Sequence, residues 1–253
     1  MRLSRLERAD EPIRIGQRGA EATLDELRVT RTDRGVAVAS FDGRVAVDLV
    51  EHLLAAVAGL GVRTGLHLDV EGDELPLLDG GSLAFVEALR ALELSTSPPR
   101  LVVRASATIE HRGSHYRFTP GPSVRLAVAV EFPAPIGREE ASWDGEPSSF
   151  SADIAPARTF GFAADYEALR AAGRAAGVSL DSVLVFDERG VLPGCPPPRP
   201  REVARHKLLD LIGDLALYGG PPLGSIDATR PGHTATHAVV AEARARGILE
   251  VVR

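Results

Sequence analysis

Asparagine is absent from this chain, and lysine occurs once, at Lys207, among 29 basic residues. Where arginine is otherwise used throughout, either coding bias has left one lysine by chance, or a compact ammonium beside a histidine does what a planar guanidinium cannot. Cysteine also occurs once, which excludes an internal disulfide. Cys195 lies in Pro193-Gly194-Cys195-Pro196-Pro197-Pro198 with no neighbouring base to activate it, so it reads as a loop thiol. No apolar run approaches the ~20 residues of a membrane-spanning helix. Residues 1–19 alternate charged and apolar side chains without the hydrophobic centre of a signal peptide, so the expected location is the cytoplasm. Nor is there an excess of positive charge: a net charge of -6 argues against a binder of phosphate backbones, and no nucleic-acid partner is expected.

What is there is the composition of a folded globular protein, 44% hydrophobic and 25% charged over 253 residues, enough for one large domain or two small ones. Residues 22–30, 35–40 and 66–70 alternate and read as strands, and the apolar runs 48–58 and 82–94 read as helices. The second half repeats the order, with strands over 101–110, 115–119 and 124–132, then a helix at 163–172, a strand at 182–187, a helix at 202–218, a strand at 224–229 and a helix at 233–246. Residues 95–100, Ser-Thr-Ser-Pro-Pro-Arg, read as a stiff polar linker, which sets the expected domains at 1–98 and 99–253. Segments 134–147 and 193–200 read as loops. Strands followed by helices in each half predict the α+β class, with two domains of similar topology, each a mainly antiparallel sheet packed on a helix pair.

Three clusters can carry chemistry. In Arg205-His206-Lys207-Leu208-Leu209-Asp210 the i, i+4 spacing puts His206 and Asp210 on one helix face, about 40° apart and ~6 Å along the axis. An imidazole and a carboxylate so placed form a two-point zinc chelate, with Asp214 one turn further as support; the competing reading is a polar surface stripe. In Asp48-Leu49-Val50-Glu51-His52 the helix that follows is apolar up to Gly59, so Glu51 and His52 enter a buried helix and need partners there. A histidine ligand with an adjacent carboxylate base suits activation of water at a metal. The alternative for Glu51 is a capping box with Asp48 as N-cap. In Pro231-Gly232-His233-Thr234-Ala235-Thr236-His237, His233 and His237 could form a metal pair, but amide hydrolysis needs a proton for the departing amine, and His233 is the better fit to that acid. His67, His111 and His115 lie on alternating segments and read as polar faces.

Val50-Glu51-His52-Leu53, Asp79-Gly80, Ala157-Arg158-Thr159-Phe160-Gly161-Phe162, the run Arg205 to Leu215 and Gly232-His233 resemble, in order, the motifs of the UDP-3-O-acyl-N-acetylglucosamine deacetylases, which remove an acetyl group in the committed step of lipid A synthesis. The resemblance implies zinc on His52, His206 and Asp210, with Glu51 as base and His233 as general acid oriented by Asp214. It implies that Lys207 stabilises the oxyanion or a substrate phosphate, that Thr159 hydrogen-bonds the tetrahedral intermediate and that Phe160 packs beside the substrate. Residues 161–192 are similar to the family's β-α-β insertion, which forms a passage for the acyl chain, and the site is expected between two α+β domains. The substrate partner is a small-molecule nucleotide-sugar lipid precursor, and a monomer is expected. The chain departs from the family at Ile15-Gly16-Gln17-Arg18-Gly19-Ala20, where Gly-Leu-His-Thr-Gly is usual, and at Thr236-His237, where Asn-Asn is usual. The region before Asp48 reads as short by a couple of strands, a trimmed first domain. Other readings are a deacetylase for a different acylated amino sugar and a catalytically silent binding protein on the same fold.

Overall fold

The computed structural model describes residues 1–165 and 179–252. Strands β1 (Arg2–Arg5), β2 (Arg14–Gln17), β3 (Ala20–Thr23), β4 (Arg28–Arg31), β5 (Ala37–Ala39) and β6 (Ala46–Val47) lead to helix α1 (Glu51–Gly59), strand β7 (Leu66–Val70) and helix α2 (Leu83–Arg90). Strands β1, β7, β2 and β3 lie side by side in that order, antiparallel except where β2 meets β7, and β4, β5 and β6 form a separate antiparallel sheet. In β7 the alternation of Leu66, Leu68 and Val70 buries one face of the strand. All residues of α1 are buried, as its unbroken run of Leu, Ala and Val requires.

The chain continues through β8 (Leu101–Val103), β9 (Ala107–His111), β10 (Ser114–Thr119), β11 (Val124–Glu131), β12 (Arg138–Trp143), β13 (Thr159–Phe162), β14 (Val183–Asp187), β15 (Gly190–Val191), α3 (Glu202–Ala216), β16 (Gly224–Thr229), α4 (His233–Ala245) and β17 (Leu249–Val251). The larger sheet has the order β12-β11-β16-β10-β9 and is antiparallel except for the β11–β16 pair. Helix α3 lies along α1 on one side and against β11, β12 and α4 on the other, so two almost wholly buried helices meet. The class is α+β with mainly antiparallel sheets, as the pattern of segments predicts. No helix among the described residues is long and apolar enough to cross a membrane.

Several boundaries differ from those read in the sequence, for local reasons. The expected strand at 22–30 is broken by a helical turn, because the Glu26 carboxylate accepts hydrogen bonds from the Thr23 backbone N–H at 2.8 Å and from its hydroxyl at 2.9 Å. Six strands precede α1, where two were read. Gln17 ties them together: its buried amide bonds the Ala46 carbonyl and N–H and the Gly72 carbonyl. The expected loop at 134–147 contains β12, an edge strand whose Arg138, Glu139 and Glu140 hide its β character in the sequence. The helix expected at 163–172 lies mostly outside the described residues, as does the middle of the insertion expected at 161–192; the flanking β13 and β14 pair in parallel.

Candidate metal centre and acid–base pair

Helix α3 starts at a buried ion pair. The Glu202 carboxylate accepts from the Arg158 guanidinium at 2.8 and 3.1 Å and from the backbone N–H groups of Arg158 and Arg199 at 3.0 and 2.6 Å. This clamp fixes the chain before β13 against the first turn of α3, one turn below His206. The Ala157 carbonyl lies 3.1 Å from His206 Nδ1. A carbonyl only accepts, so the imidazole proton is on Nδ1 and the Nε2 lone pair is free. That lone pair faces Asp210 Oδ1 at 3.5 Å.

His52 approaches from α1, whose first turn is anchored by the Ser82 hydroxyl donating to the His52 carbonyl at 2.7 Å. Its ring stands edge-on to that of His206, with centroids 5.1 Å apart, and its Nδ1 is buried without a hydrogen-bond partner. Burial pushes His52 down to about 3 and holds His206 below the usual range, so both rings are neutral and keep lone pairs. Burial alone would raise the Asp210 carboxyl, but Lys207, His206 and His233 together hold it well below the usual carboxylate range. Ligand atoms of His52, His206 and Asp210 all lie within 4.8 Å of one another. Two imidazole lone pairs and a carboxylate converging in a buried space repel one another unless they share a cation, and two nitrogens with one oxygen suit a divalent transition metal with a further coordination position open.

Glu51 lies one residue before His52. Its carboxylate accepts from the Val36 N–H at 2.9 Å. The chain reaches it through Gly35 at φ +134°, where a Cβ would fall 2.5 Å from Leu49 Cδ2 and 2.9 Å from Glu51 Oε1. Burial raises the Glu51 carboxyl to about 7, against the opposing pull of His233 and the Val36 N–H, so it can take and release a proton near neutrality.

His233 opens α4 after Gly232. Its Nδ1 lies 2.8 and 3.0 Å from the two oxygens of Asp214, and its Nε2 faces Asp210 Oδ2 at 3.9 Å. Burial opposes its charge, but Asp214, Asp210 and Glu51 outweigh it and hold the imidazolium up to about 9. Lys207 Nζ donates to Asp210 Oδ2 at 2.8 Å and stands 5.5 Å from the centre of the Phe160 ring. Phe160 in turn meets Phe132 and His206 edge to face. Thr159 is half-buried on β13, where its N–H donates to the Gly80 carbonyl at 2.7 Å, which gives the Asp79-Gly80 segment a structural place beside it. A small pocket lined by Leu49, Glu51, His52, Pro76 and Leu77 opens beside the Glu51 carboxyl.

The structure thus gathers Glu51, His52, Phe160, His206, Lys207, Asp210, Asp214 and His233 around one point, with Thr159 next to Phe160. Three alternatives are corrected. The surface stripe fails because His206, Asp210 and Asp214 are 2%, 4% and 1% exposed. The capping box fails because Val50 is the N-cap, while the Asp48 carboxylate pairs with Arg31 at 2.6 Å and Glu51 turns toward Val36. As for a His233–His237 metal pair, the Nδ1 of His233 is bonded to Asp214 and that of His237 to Tyr218; the metal-capable group among the described residues is His52, His206 and Asp210. The groups that hold the site in place, the Ala157 carbonyl, the Val36 N–H and the Arg158–Glu202 clamp, carry no spacing signal, although Arg158 stands inside the Ala157–Phe162 motif.

Over residues 6–244 the chain matches the family model for UDP-3-O-acyl N-acetylglycosamine deacetylase. It is similar to the UDP-3-O-acyl-N-acetylglucosamine deacetylases of Brucella ovis, Brucella canis and Brucella melitensis biotype 2, at 36% identity over 211 residues, covering 81% of this chain and 73% of each relative.

Proposed function

The chain belongs to the UDP-3-O-acyl N-acetylglycosamine deacetylase family, and we propose that it hydrolyses the N-acetyl amide of a UDP-linked 3-O-acyl-glucosamine, releasing acetate in lipid A synthesis. The observation that carries the reading is the pair of buried, neutral imidazoles converging with an ionised carboxylate beside a carboxyl raised to about 7. His52, His206 and Asp210 are the residues that would hold zinc, which when bound supplies a Lewis acid for the amide carbonyl and lowers the pKa of water. Glu51 takes a proton from the attacking water as its oxygen bonds to the carbonyl carbon. His233, kept protonated and oriented by Asp214, delivers a proton to the sugar nitrogen as the C–N bond breaks, so the products are a free amine and acetate. Lys207 and the Thr159 hydroxyl serve the oxygen that gains charge, and Phe160 forms a wall for the substrate.

Glu51 and His52 come from the first half of the chain and His206, Asp210 and His233 from the second. This supports two α+β domains, residues 1–98 and 99–253, with the site between them. One chain supplies every group of the site, which supports a monomer as the working unit, and a nucleotide-sugar substrate is in keeping with the cytoplasm. The test is a pair of variants. Glu51→Ala should keep its zinc while turnover falls by about 10²–10⁴-fold, and His206→Ala should lose zinc. Unchanged turnover in the first, or full zinc occupancy in the second, would sink the assignment.

A further inference from the structure

Two buried side chains of α4, Thr236 and His237, stand one turn behind His233 and have no part in the chemistry above. The Thr236 hydroxyl lies 2.8 Å from the Tyr116 hydroxyl of β10, which pins the helix to the sheet. His237 faces the other way. Its Nδ1 is 2.7 Å from the hydroxyl of Tyr218, just beyond the end of α3, and its Nε2 faces Asp214 Oδ1 at 3.5 Å. That oxygen is also 2.8 Å from His233 Nδ1.

The direction of these contacts follows from the donors present. The Tyr218 hydroxyl can donate or accept, but the Asp214 carboxylate only accepts, so the nitrogen facing it carries the proton and Nδ1 accepts from Tyr218. The ring proton of His237 is then on Nε2, aimed at the carboxylate. Tyr218 is itself held, with the Arg244 guanidinium 5.8 Å from the centre of its ring. Asp214 is 1% exposed, and no backbone N–H and no arginine among the described residues bonds to it. Among the described residues its one hydrogen-bonded side chain is His233; His237 Nε2, buried with no hydrogen-bond partner of its own, is aimed at it from 3.5 Å. A buried carboxylate with a single donor can swing about its χ2 and carry that donor with it. A second N–H from another direction removes this freedom.

We propose that His237, its tautomer fixed by Tyr218, is a positioning residue for the acid: it steadies Asp214 so that the carboxylate presents His233 at the angle needed for proton delivery. At 3.5 Å His237 Nε2 makes no hydrogen bond in this structure, and acid–base contacts of this kind tighten when substrate binds. The inference rests on the assignment of His233 as the acid.

The experiment compares the zinc-loaded wild type with His237→Leu, His237→Gln, Tyr218→Phe and His233→Ala, measuring kcat and KM, and reads the histidine tautomers by ¹⁵N NMR in the wild type and in Tyr218→Phe. His237→Leu should lose about tenfold in kcat with KM changed less than about twofold. His237→Gln, whose amide N–H can take the place of Nε2–H, should recover most of the loss. The wild-type spectrum should show His237 protonated on Nε2, and Tyr218→Phe should mix the two tautomers. Wild-type kcat in His237→Leu, equal losses in the leucine and glutamine variants, or an Nδ1–H tautomer in the wild type would overturn the proposal. If His237→Leu does not fold, the spectra and Tyr218→Phe decide. An active His233→Ala removes the acid assignment itself, whereas an inactive His233→Ala beside an unimpaired His237→Leu removes only the positioning role.

Discussion

Gly213 sits on the face of α3 that meets α1, and a methyl group there gives a direct test of how the site is assembled. A Cβ at this position would lie 2.2 Å from the Glu51 carbonyl oxygen, 2.9 Å from its carbonyl carbon and 3.2 Å from its Cα. All three are backbone atoms in the first turn of a helix and cannot turn aside. To restore ordinary contact the two helices must part or slide by ~1 Å, because close-packed interiors hold no spare room. Such overpacking costs about 1–3 kcal/mol, and the better helix propensity of alanine returns up to ~1 kcal/mol. At about 2–4 °C per kcal/mol for a chain of this size, Gly213→Ala should melt only a few degrees lower. Activity should suffer far more. Glu51 and His52 ride on α1 while His206 and Asp210 ride on α3, and a 1 Å misplacement of reacting groups costs about 10²-fold. The assay is acetate release from the UDP-linked 3-O-acylated N-acetylglucosamine at a temperature well below both melting points, with bound zinc measured alongside. A variant with turnover within about threefold of wild type would refute the claim that the contact at Glu51 sets the geometry.

The remaining predictions concern charge. Activity should rise with pH as Glu51 ionises and fall as His233 loses its proton, with limbs at or below the values of about 7 and about 9, because a bound cation beside both groups lowers each. Asp214 is the largest influence raising His233, so Asp214→Asn should move the alkaline limb to lower pH and leave the acid limb in place; a stationary alkaline limb would assign that limb to another group. Glu202→Gln leaves the Arg158 cation buried without its carboxylate, a change worth about 3–5 kcal/mol. Its melting point should drop by roughly ten degrees, and a drop under about two degrees would mean that the clamp does not hold the start of α3. Stripping the metal with a chelator should lower the melting point of the wild type by roughly 5–10 °C, if zinc is present at about a hundred times its dissociation constant. The same treatment should leave His206→Ala unchanged, and an equal fall in both would place the metal elsewhere.

The parts of the fold that could be read from the sequence are those in which burial writes a period into the chain. The run after His52 has no polar residue before Gly59, and α1 is buried all round; Leu126, Val128 and Val130 alternate, and β11 is buried on one face. Where charge or local hydrogen bonding overrides the pattern, reading fails. Strand β12 presents arginine and glutamate at an edge, and Thr23 with Glu26 closes a turn inside what alternates like a strand. The same division runs through the site. His206 and Asp210 announce themselves by spacing and Glu51 and His52 by polarity in an apolar run. The Ala157 carbonyl and the Val36 N–H, which orient them, are backbone groups that every residue carries, and only the fold distinguishes them.

Burial at the meeting of α1 and α3 also explains why one small space holds groups with such different tasks. Withdrawing water disfavours whichever form is charged, so it lowers the two histidines and leaves them neutral with free lone pairs, and it raises Glu51 toward the range of a base. Asp210 lies in the same dry region yet stays ionised, and the difference is its neighbours. Lys207 donates to it at 2.8 Å, whereas Glu51 accepts from the Val36 N–H and forms no ion pair among the described residues. The single lysine of the chain therefore separates the proposed ligand carboxylate from the proposed base carboxylate. An arginine could not do this from the same position without its wide planar head displacing Phe160, against whose ring the ammonium rests.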